Sequence, residues 1–264
     1  MTNASLPGQR AIPLRPPARQ VAGATRLFTA GPSTDLRNYG YLWAPPDTHV
    51  EYETVQGKAA KRTVQPSRGT WSPPVDAVKL LDRRDVRLDQ GVSSACERFS
   101  VGNASVPQGL TPTNAQCLAG YHRAQELDEW PGAEPRYYGT SGNGACKAAR
   151  EEGIVKSWWY VPEDRPEYIV AAILFGYAVQ WSGVWTEGMA WPNDAAVMSS
   201  AGAPIGGHAT VFDGWIGPWG LLRVVNSWSE EWGKDGVAYL SWDDYLRNHW
   251  ERWPEAIIIN YARP

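Results

Sequence analysis

Long apolar runs are missing from this sequence. No stretch approaches the about 18–20 consecutive apolar residues of a membrane span, so nothing in it asks for a bilayer. Residues 1–30 hold no apolar core of signal-peptide length, which points to synthesis without export. Cysteine is scarce, with Cys96, Cys117 and Cys146 the whole set. Three cysteines cannot build the disulfide framework that staples small secreted domains. If Cys117 and Cys146 pair, Cys96 remains a lone thiol; if all three are reduced, the odd count is unremarkable. Either way one cysteine is available for chemistry. Blocks of Lys and Arg are also missing, and the net charge is −3, which argues against a nucleic-acid-binding arm. No internal repeat is visible.

What is present is a globular composition. The 264 residues are 43% hydrophobic and 20% charged, enough to bury the core of one large domain or of two lobes. Tryptophan is heavily used, with 15 residues, which suits an aromatic-rich core or interface. Residues 1–74 differ from the rest. They are rich in Pro, Gly, Arg and Thr, and alternation is confined to short patches such as 48–55. They read as an extended arm with a small hairpin, either a poorly ordered leader or a segment that packs on the domain as a propeptide or a docking segment. Leu27, Phe28, Tyr39, Tyr41, Leu42 and Trp43 are its apolar anchors. Residues 75–264 read as the compact domain. Helices are expected over 96–104, 113–127, 144–152 and 167–175, with Ser93 and Ser94 as N-cap types ahead of the first. Strands are expected over 177–184, 209–215, 221–226, 237–241 and 256–261. Helices first and strands afterwards imply an α+β fold, with a helical lobe over about 75–176 and a β-rich lobe over about 177–264.

Three motifs carry chemistry. The first runs Asp89-Gln90-Gly91-Val92-Ser93-Ser94-Ala95-Cys96-Glu97. A cysteine in the first turn of a helix feels the positive end of the helix dipole and unpaired N–H groups. With a protonated histidine nearby, such sites draw a thiol pKa from about 8.5 to about 3.5–4. Gln90 can aim its side-chain amide at an oxyanion beside the sulfur, with the Cys96 N–H as second donor. The second motif is Gly206-Gly207-His208-Ala209-Thr210-Val211, which sets a histidine at the head of a strand. The third is Val225-Asn226-Ser227-Trp228, continuing to Trp232-Gly233 and Gly236. An amide at a strand end can accept from the His208 ring N–H and fix its tautomer, while Trp228 covers that bond. Each motif alone has an ordinary structural reading, as a helix-start cysteine, a core histidine or a turn with an aromatic anchor. All three, in the order Gln, Cys, His, Asn, are harder to dismiss.

This arrangement resembles the papain-like (C1 family) cysteine peptidases, in particular their short bacterial and phage-encoded members, over about 75–261. The resemblance implies the two-lobed papain-like fold. It implies Cys96 as nucleophile, His208 as base, Asn226 as the residue orienting the base, and Gln90 in the oxyanion hole. Tyr138-Gly139-Thr140-Ser141, followed by Gly144-Ala145-Cys146, is similar to the family's substrate loop and its helix. Gly139, Thr140 and Ser141 are then substrate-binding candidates, together with Gly207 and Trp228. No cofactor and no metal is implied. The implied partner is a protein or peptide substrate, with the arm available to dock into an assembly and no role for nucleic acid or membrane. The implied location is cytoplasmic or virion-associated.

The sequence also departs from the family pattern. The usual Cys-Gly-Ser/Ala-Cys-Trp/Tyr signature reads Ser93-Ser94-Ala95-Cys96-Glu97 here. One disulfide partner is lost, and a carboxylate beside the nucleophile would raise the thiol pKa. The Cys-to-His and Cys-to-Asn spacings fall at or below the low end of the about 130–150 residues of secreted members. Three functions remain open at this point. One is a peptidase or isopeptidase. Another is a structural or docking protein, such as a virion component, that keeps the fold with little activity. The third is an acyltransferase using the same triad.

Overall fold

In this computed structural model the structure describes residues 50–55, 58–63, 72–83, 85–128, 138–252 and 254–262. Two strands, β1 (Val50–Val55) and β2 (Lys58–Thr63), pair antiparallel with Val50 opposite Thr63. This is a hairpin where the arm was expected to hold one. The rest of the arm up to residue 71, with its apolar anchors, lies outside the described residues.

The chain then enters a short strand, β3 (Val78–Leu80). Helix α1 (Cys96–Ser105) follows and is buried along its whole length. That is unusual for a sequence carrying Glu97, Arg98, Ser100, Asn103 and Ser105, and it is tolerated because these polar side chains find partners. Arg98 donates to Glu152 at 2.6 Å, Ser100 Oγ to the Glu97 carbonyl at 2.7 Å, and Ser105 Oγ to the Gly102 carbonyl at 2.7 Å. Asn103 Oδ1 accepts from Arg83. Helix α2 (Asn114–Leu127) starts with a capping box between Thr113 and Gln116. Helix α3 (Gly142–Glu151) is capped by Ser141, whose Oγ accepts from the Gly144 N–H at 3.0 Å.

From residue 155 the chain builds a sheet. Its strands are β4 (Val155–Tyr160), β5 (Val179–Thr186), β6 (Val197–Met198), β7 (Pro204–Ile216), β8 (Leu221–Val225), β9 (Val237–Ser241) and β10 (Glu255–Tyr261). Helix α4 (Tyr168–Leu174) precedes β5, the short α5 (Glu187–Ala190) follows it, and α6 (Trp242–Arg252) lies between β9 and β10. The spatial order is β4-β10-β5-β7-β8-β9-β6, antiparallel except for the short β6–β9 pair. β3 joins through β7, with Val78 opposite Ile216. β4 and α4 fall before the expected lobe division at about 176, yet β4 pairs with β10 and α4 packs into the same core as Trp181 and Phe212.

Strand β7 organises the domain because its two faces differ. Side chains alternate along a strand. Val211 points into one core, with Val101 and Ala104 of α1 and Ala145 of α3. Phe212 points into the other, with Trp181, Trp185, Trp228 and α4. A charged network anchors the entering segment to the sheet. Buried Asp213 accepts from Arg223 at 2.6 Å and from Arg83 at 3.4 Å, and Arg223 also donates to the Leu81 carbonyl at 2.6 Å.

Candidate active site

The loop before α1 is built by a tight turn. Gly91 has φ +59°, a left-handed conformation that suits glycine. The Gln90 carbonyl accepts from both the N–H and the hydroxyl of Ser93, at 3.1 and 2.6 Å. Ser93 and Ser94 therefore do not cap the helix. Ala95 occupies the cap position and makes no side-chain cap bond. The correction matters chemically, because the first-turn N–H groups stay available to the Cys96 sulfur, which they and the Ala209 N–H stabilise. Cys96 is 1% exposed and packs on Ala209, the residue after His208 in β7.

His208 sits near the start of β7, opposite Gly183 of β5. Its Nε2 lies 2.7 Å from Oδ1 of Asn226, just beyond the end of β8. The same Oδ1 accepts from the Ser227 N–H at 2.8 Å. An N–H can only donate, so the Asn226 oxygen faces His208, Nε2 carries the hydrogen, and Nδ1 keeps its lone pair. The imidazole is held between two indoles. Trp228 lies 4.5 Å away, centroid to centroid, and Trp185 meets it edge-on at 4.9 Å. Trp232 supports both rings and anchors its own N–H on the Ala190 carbonyl at 3.2 Å. Gly233 (φ +61°) lets the chain turn there, where a Cβ would come within 2.3 Å of the Val237 carbonyl oxygen.

Gln90 is buried beside this group and joins it to the cysteine loop. Its backbone N–H donates to the Ser227 carbonyl at 2.9 Å, and Asp89 forms a β-bridge with Trp228. Its side-chain Nε2 donates to the Ser93 carbonyl at 2.8 Å, and Oε1 accepts from Ser227 Oγ at 2.7 Å. One hydrogen of Nε2 is left for another acceptor.

Burial dominates the electrostatics. It pushes the Cys96 thiol up to about 12, with Glu97 adding in the same direction and three backbone N–H groups opposing. His208 is held down to about 4, again by burial, against its bond to Asn226. Each group is thus shifted towards its neutral form, the thiol of Cys96 and the imidazole of His208. The helix start alone does not produce the lowered thiol pKa expected from sequence, because desolvation outweighs the helix terminus. Glu97 reaches the neighbouring strand β5. There it accepts from Gln180 and Ser182, and burial with Glu255 nearby raises its pKa well above the usual carboxylate range. Cys117 and Cys146 are free thiols like Cys96, and burial raises both, Cys117 to about 11.

The loop ahead of α3 looks inward. The Gly139 N–H donates to Tyr121 Oη at 2.9 Å and its carbonyl accepts from Gln125 at 3.2 Å. Asp128 accepts from Thr140 Oγ1, Ser141 N and Ser141 Oγ at 2.7, 2.6 and 2.9 Å. The Ser141 carbonyl accepts from the Ala145 N–H. The backbone groups of Gly139 and Ser141 thus already have partners, and Thr140 is buried. Gly207 is committed to the β5–β7 ladder opposite Val184. Of the five substrate-binding candidates, Trp228 packs its ring against His208, and Gly207 adjoins His208 in β7. Sequence reasoning passed over Trp185 and Ser227. Ser227 lay inside a quoted motif, whereas Trp185 had only the general abundance of tryptophan to signal it. Among the described residues no cluster of three or more His, Cys, Asp or Glu is placed to hold a metal ion, and no helix is long and apolar enough to cross a membrane.

No protein-family model matches this chain, and no curated protein sequence matches it. Solved structures do. Xylellain, a cysteine protease from Xylella fastidiosa, superposes with a TM-score of 0.58 at 13% identity, over 86% of this chain and 97% of that one. A cysteine protease from Carica candamarcensis gives 0.47 at 16% identity, over 67% and 93%. The ragweed pollen cysteine protease Amb a 11, in its proform, gives 0.48 at 14%, over 74% and 68%. At such identities the likeness concerns the fold alone. The α+β architecture of this chain, a helical part set against an antiparallel sheet, is the papain-like fold.

Proposed function

We propose that this protein is a cysteine peptidase, hydrolysing peptide or isopeptide bonds through Cys96, His208 and Asn226, with Gln90 in its oxyanion hole. The observation that carries the reading is the 2.7 Å bond from His208 Nε2 to Asn226 Oδ1, on the strand whose next residue packs against Cys96. That bond leaves Nδ1 as a base. As Cys96 Sγ attacks a carbonyl carbon, its proton passes to His208 and the C–S bond forms. The oxyanion so created accepts from the free hydrogen of Gln90 Nε2 and from the Cys96 N–H. The tetrahedral adduct expels the amine, which leaves with the proton from His208, and a thioester remains. Water, deprotonated by His208, cleaves the thioester and returns the thiol.

One observation favours a second reading, a docking protein that keeps the fold with little turnover. Cys96 is 1% exposed, and burial holds its thiol up at about 12. A single experiment separates the two. The protein is treated with an epoxysuccinyl peptide, a thiol electrophile shaped for peptidase clefts, and the adduct is mapped by mass spectrometry alongside hydrolysis of a fluorogenic peptide library. Modification confined to Cys96, with hydrolysis that disappears in Cys96→Ala, supports the peptidase. Uniform slow labelling of Cys96, Cys117 and Cys146, with no hydrolysis, supports the docking protein.

A further inference from the structure

We propose that the open edge of β3 is the docking site of the chain's own arm, which adds residues 37–43 to the sheet as a further strand. The docking holds whether or not the protein is a peptidase. β3 meets β7 along one edge. The Ala77 carbonyl accepts from the Gly217 N–H at 2.8 Å, and the Leu81 N–H donates to the Asp213 carbonyl at 2.9 Å. Backbone groups alternate in direction along an antiparallel strand, so those of Val78 and Leu80 point away from β7. Among the described residues no other strand pairs with β3. The side chains of Val78 and Leu80 are exposed as well. Exposed Val75 and Trp219 extend this apolar surface around Gly217, where a Cβ would come within 2.9 Å of the Val75 carbonyl carbon. An uncovered edge with apolar side chains is a template for another strand.

Two occupants compete for the edge, and charge decides between them. A second copy pairing antiparallel about Lys79 would set Lys79 against Lys79. It would also bring together two acidic domains, since residues 75–264 hold sixteen Lys or Arg and twenty-four Asp or Glu. The arm has the opposite sign, with nine Lys or Arg and four Asp or Glu in residues 1–74. It enters the domain beside β3, where the Pro74 carbonyl accepts from Trp215 Nε1 at 2.9 Å. Within the arm, Arg37-Asn38-Tyr39-Gly40-Tyr41-Leu42-Trp43 has the period of a strand, with Tyr39, Tyr41 and Trp43 sharing one side and Pro45-Pro46 ending it. Added to β3, the aromatic side covers Val78 and Leu80, and Arg37 meets an exposed carboxylate, since Asp76 and Asp82 flank the strand. More than thirty residues separate Trp43 from β3, enough to return in parallel or antiparallel sense. β3 pairs with Gly214, Trp215 and Ile216, about 20–25 Å along β7 from His208. The arm therefore docks away from the catalytic group.

Hydrogen exchange of the full chain, resolved to single amides, tests the docking. The Val78 and Leu80 amides should exchange at least about a hundredfold more slowly than open-chain amides, and about tenfold dilution should not change this. In the full-length triple variant Tyr39→Asp, Tyr41→Asp, Trp43→Asp their protection should fall at least about tenfold, while Leu222 and Val224 of β8 stay within about twofold. A synthetic peptide of residues 36–44, added in excess to that variant, should restore the protection. Should the triple variant lose protection in β8 as well, the single variant Tyr41→Asp takes its place with the same expectation. Open-chain exchange at Val78 and Leu80 in the wild type overturns the proposal, whatever the variants do. So does protection that survives the arm substitutions. Protection that dilution removes, with a doubled mass at high concentration, gives the edge to a second copy and overturns it too.

Discussion

The two faces of β7 solve opposite problems with opposite chemistry. On the helix face, α1 carries Glu97, Arg98 and Asn103 into the interior, and each is held by directed bonds to Gln180, Ser182, Glu152 or Arg83. On the other face, His208 is held between Trp185 and Trp228, with Trp181, Trp232 and Phe212 behind them. The thiol is thus placed by a polar scaffold and the imidazole by an aromatic one. A polar scaffold fixes direction but is sensitive to the loss of a single partner. An aromatic scaffold tolerates imprecise direction, because its stabilisation grows with buried area.

The largest effects should come from the two groups where the faces meet. On the proposed peptidase mechanism, Cys96→Ala and His208→Ala are each expected to lower turnover by at least about 10⁴-fold, with the double variant no worse than either, because that mechanism has the two act as a unit. Residual hydrolysis above about 1% in Cys96→Ala would show that the faces do not converge on one reaction. Next in size is the comparison of the scaffolds themselves. Trp185 is fully buried among rings, so Trp185→Ala should cost about 3–5 kcal/mol of stability in urea unfolding. Gln180→Ala removes a donor to Glu97 on the polar face and should cost about 1–3 kcal/mol. Equal costs would break the distinction between an area-driven and a bond-driven face.

That distinction also explains what the sequence made legible. The three motifs were readable because their signals are local: a cysteine at a helix start, a Gly-Gly-His strand head, and a strand-end Asn-Ser-Trp. α2, β8 and β9 fall within about a residue of expectation, since strong alternation or caps mark them. Helix α6 went unread because it is mostly polar. Yet its start was signalled by Ser241, whose Oγ accepts from the Asp244 N–H at 3.0 Å. β4 was also unread. Its Val155-Lys156-Ser157-Trp158-Trp159-Tyr160 run makes sense only against β10, a long-range pairing that no local window contains. The balance of desolvation against the helix dipole at Cys96 was beyond reach for the same reason, because burial is decided by the whole fold.

The aromatic face should announce itself in acid. Burial holds His208 down to about 4, below the about 6.5 of an unfolded histidine. Between those values the unfolded chain takes up a proton that the folded one refuses, so stability falls as pH drops from about 6.5 towards 4. The loss from this residue should approach about 3 kcal/mol. His249 is shifted in the same direction by burial, so the contribution of His208 is read as the wild type minus His208→Gln. A His208→Gln protein with the same acid loss would mean that the imidazole is solvated, and that the indoles do not shield it.

The smallest expected effect belongs to the polar face and carries the opposite sign. Burial, with Glu255 nearby, raises the Glu97 pKa well above the usual range, while the unfolded chain ionises this residue at about 4.3. Above that pH the unfolded state releases a proton that the folded state keeps. Wild-type stability therefore declines as pH rises from about 4.3 until the raised folded value is passed. Glu97→Gln is an isostere of the protonated acid and can still accept from Gln180 and Ser182. It should match the wild type near pH 4 and exceed it at pH 7, by a margin that grows with pH until the raised folded value is passed. The same variant tests how Glu97 acts on Cys96, since an ionised Glu97 would hold the neighbouring thiol proton more tightly. If Glu97 is neutral in the folded protein at pH 7, Glu97→Gln leaves the alkylation rate of Cys96 within about twofold of the wild type. A rise of about tenfold, together with a stability difference that does not change with pH, would mean that the folded protein carries a carboxylate against its own thiol. The polar face would then be working against the chemistry that the aromatic face supports.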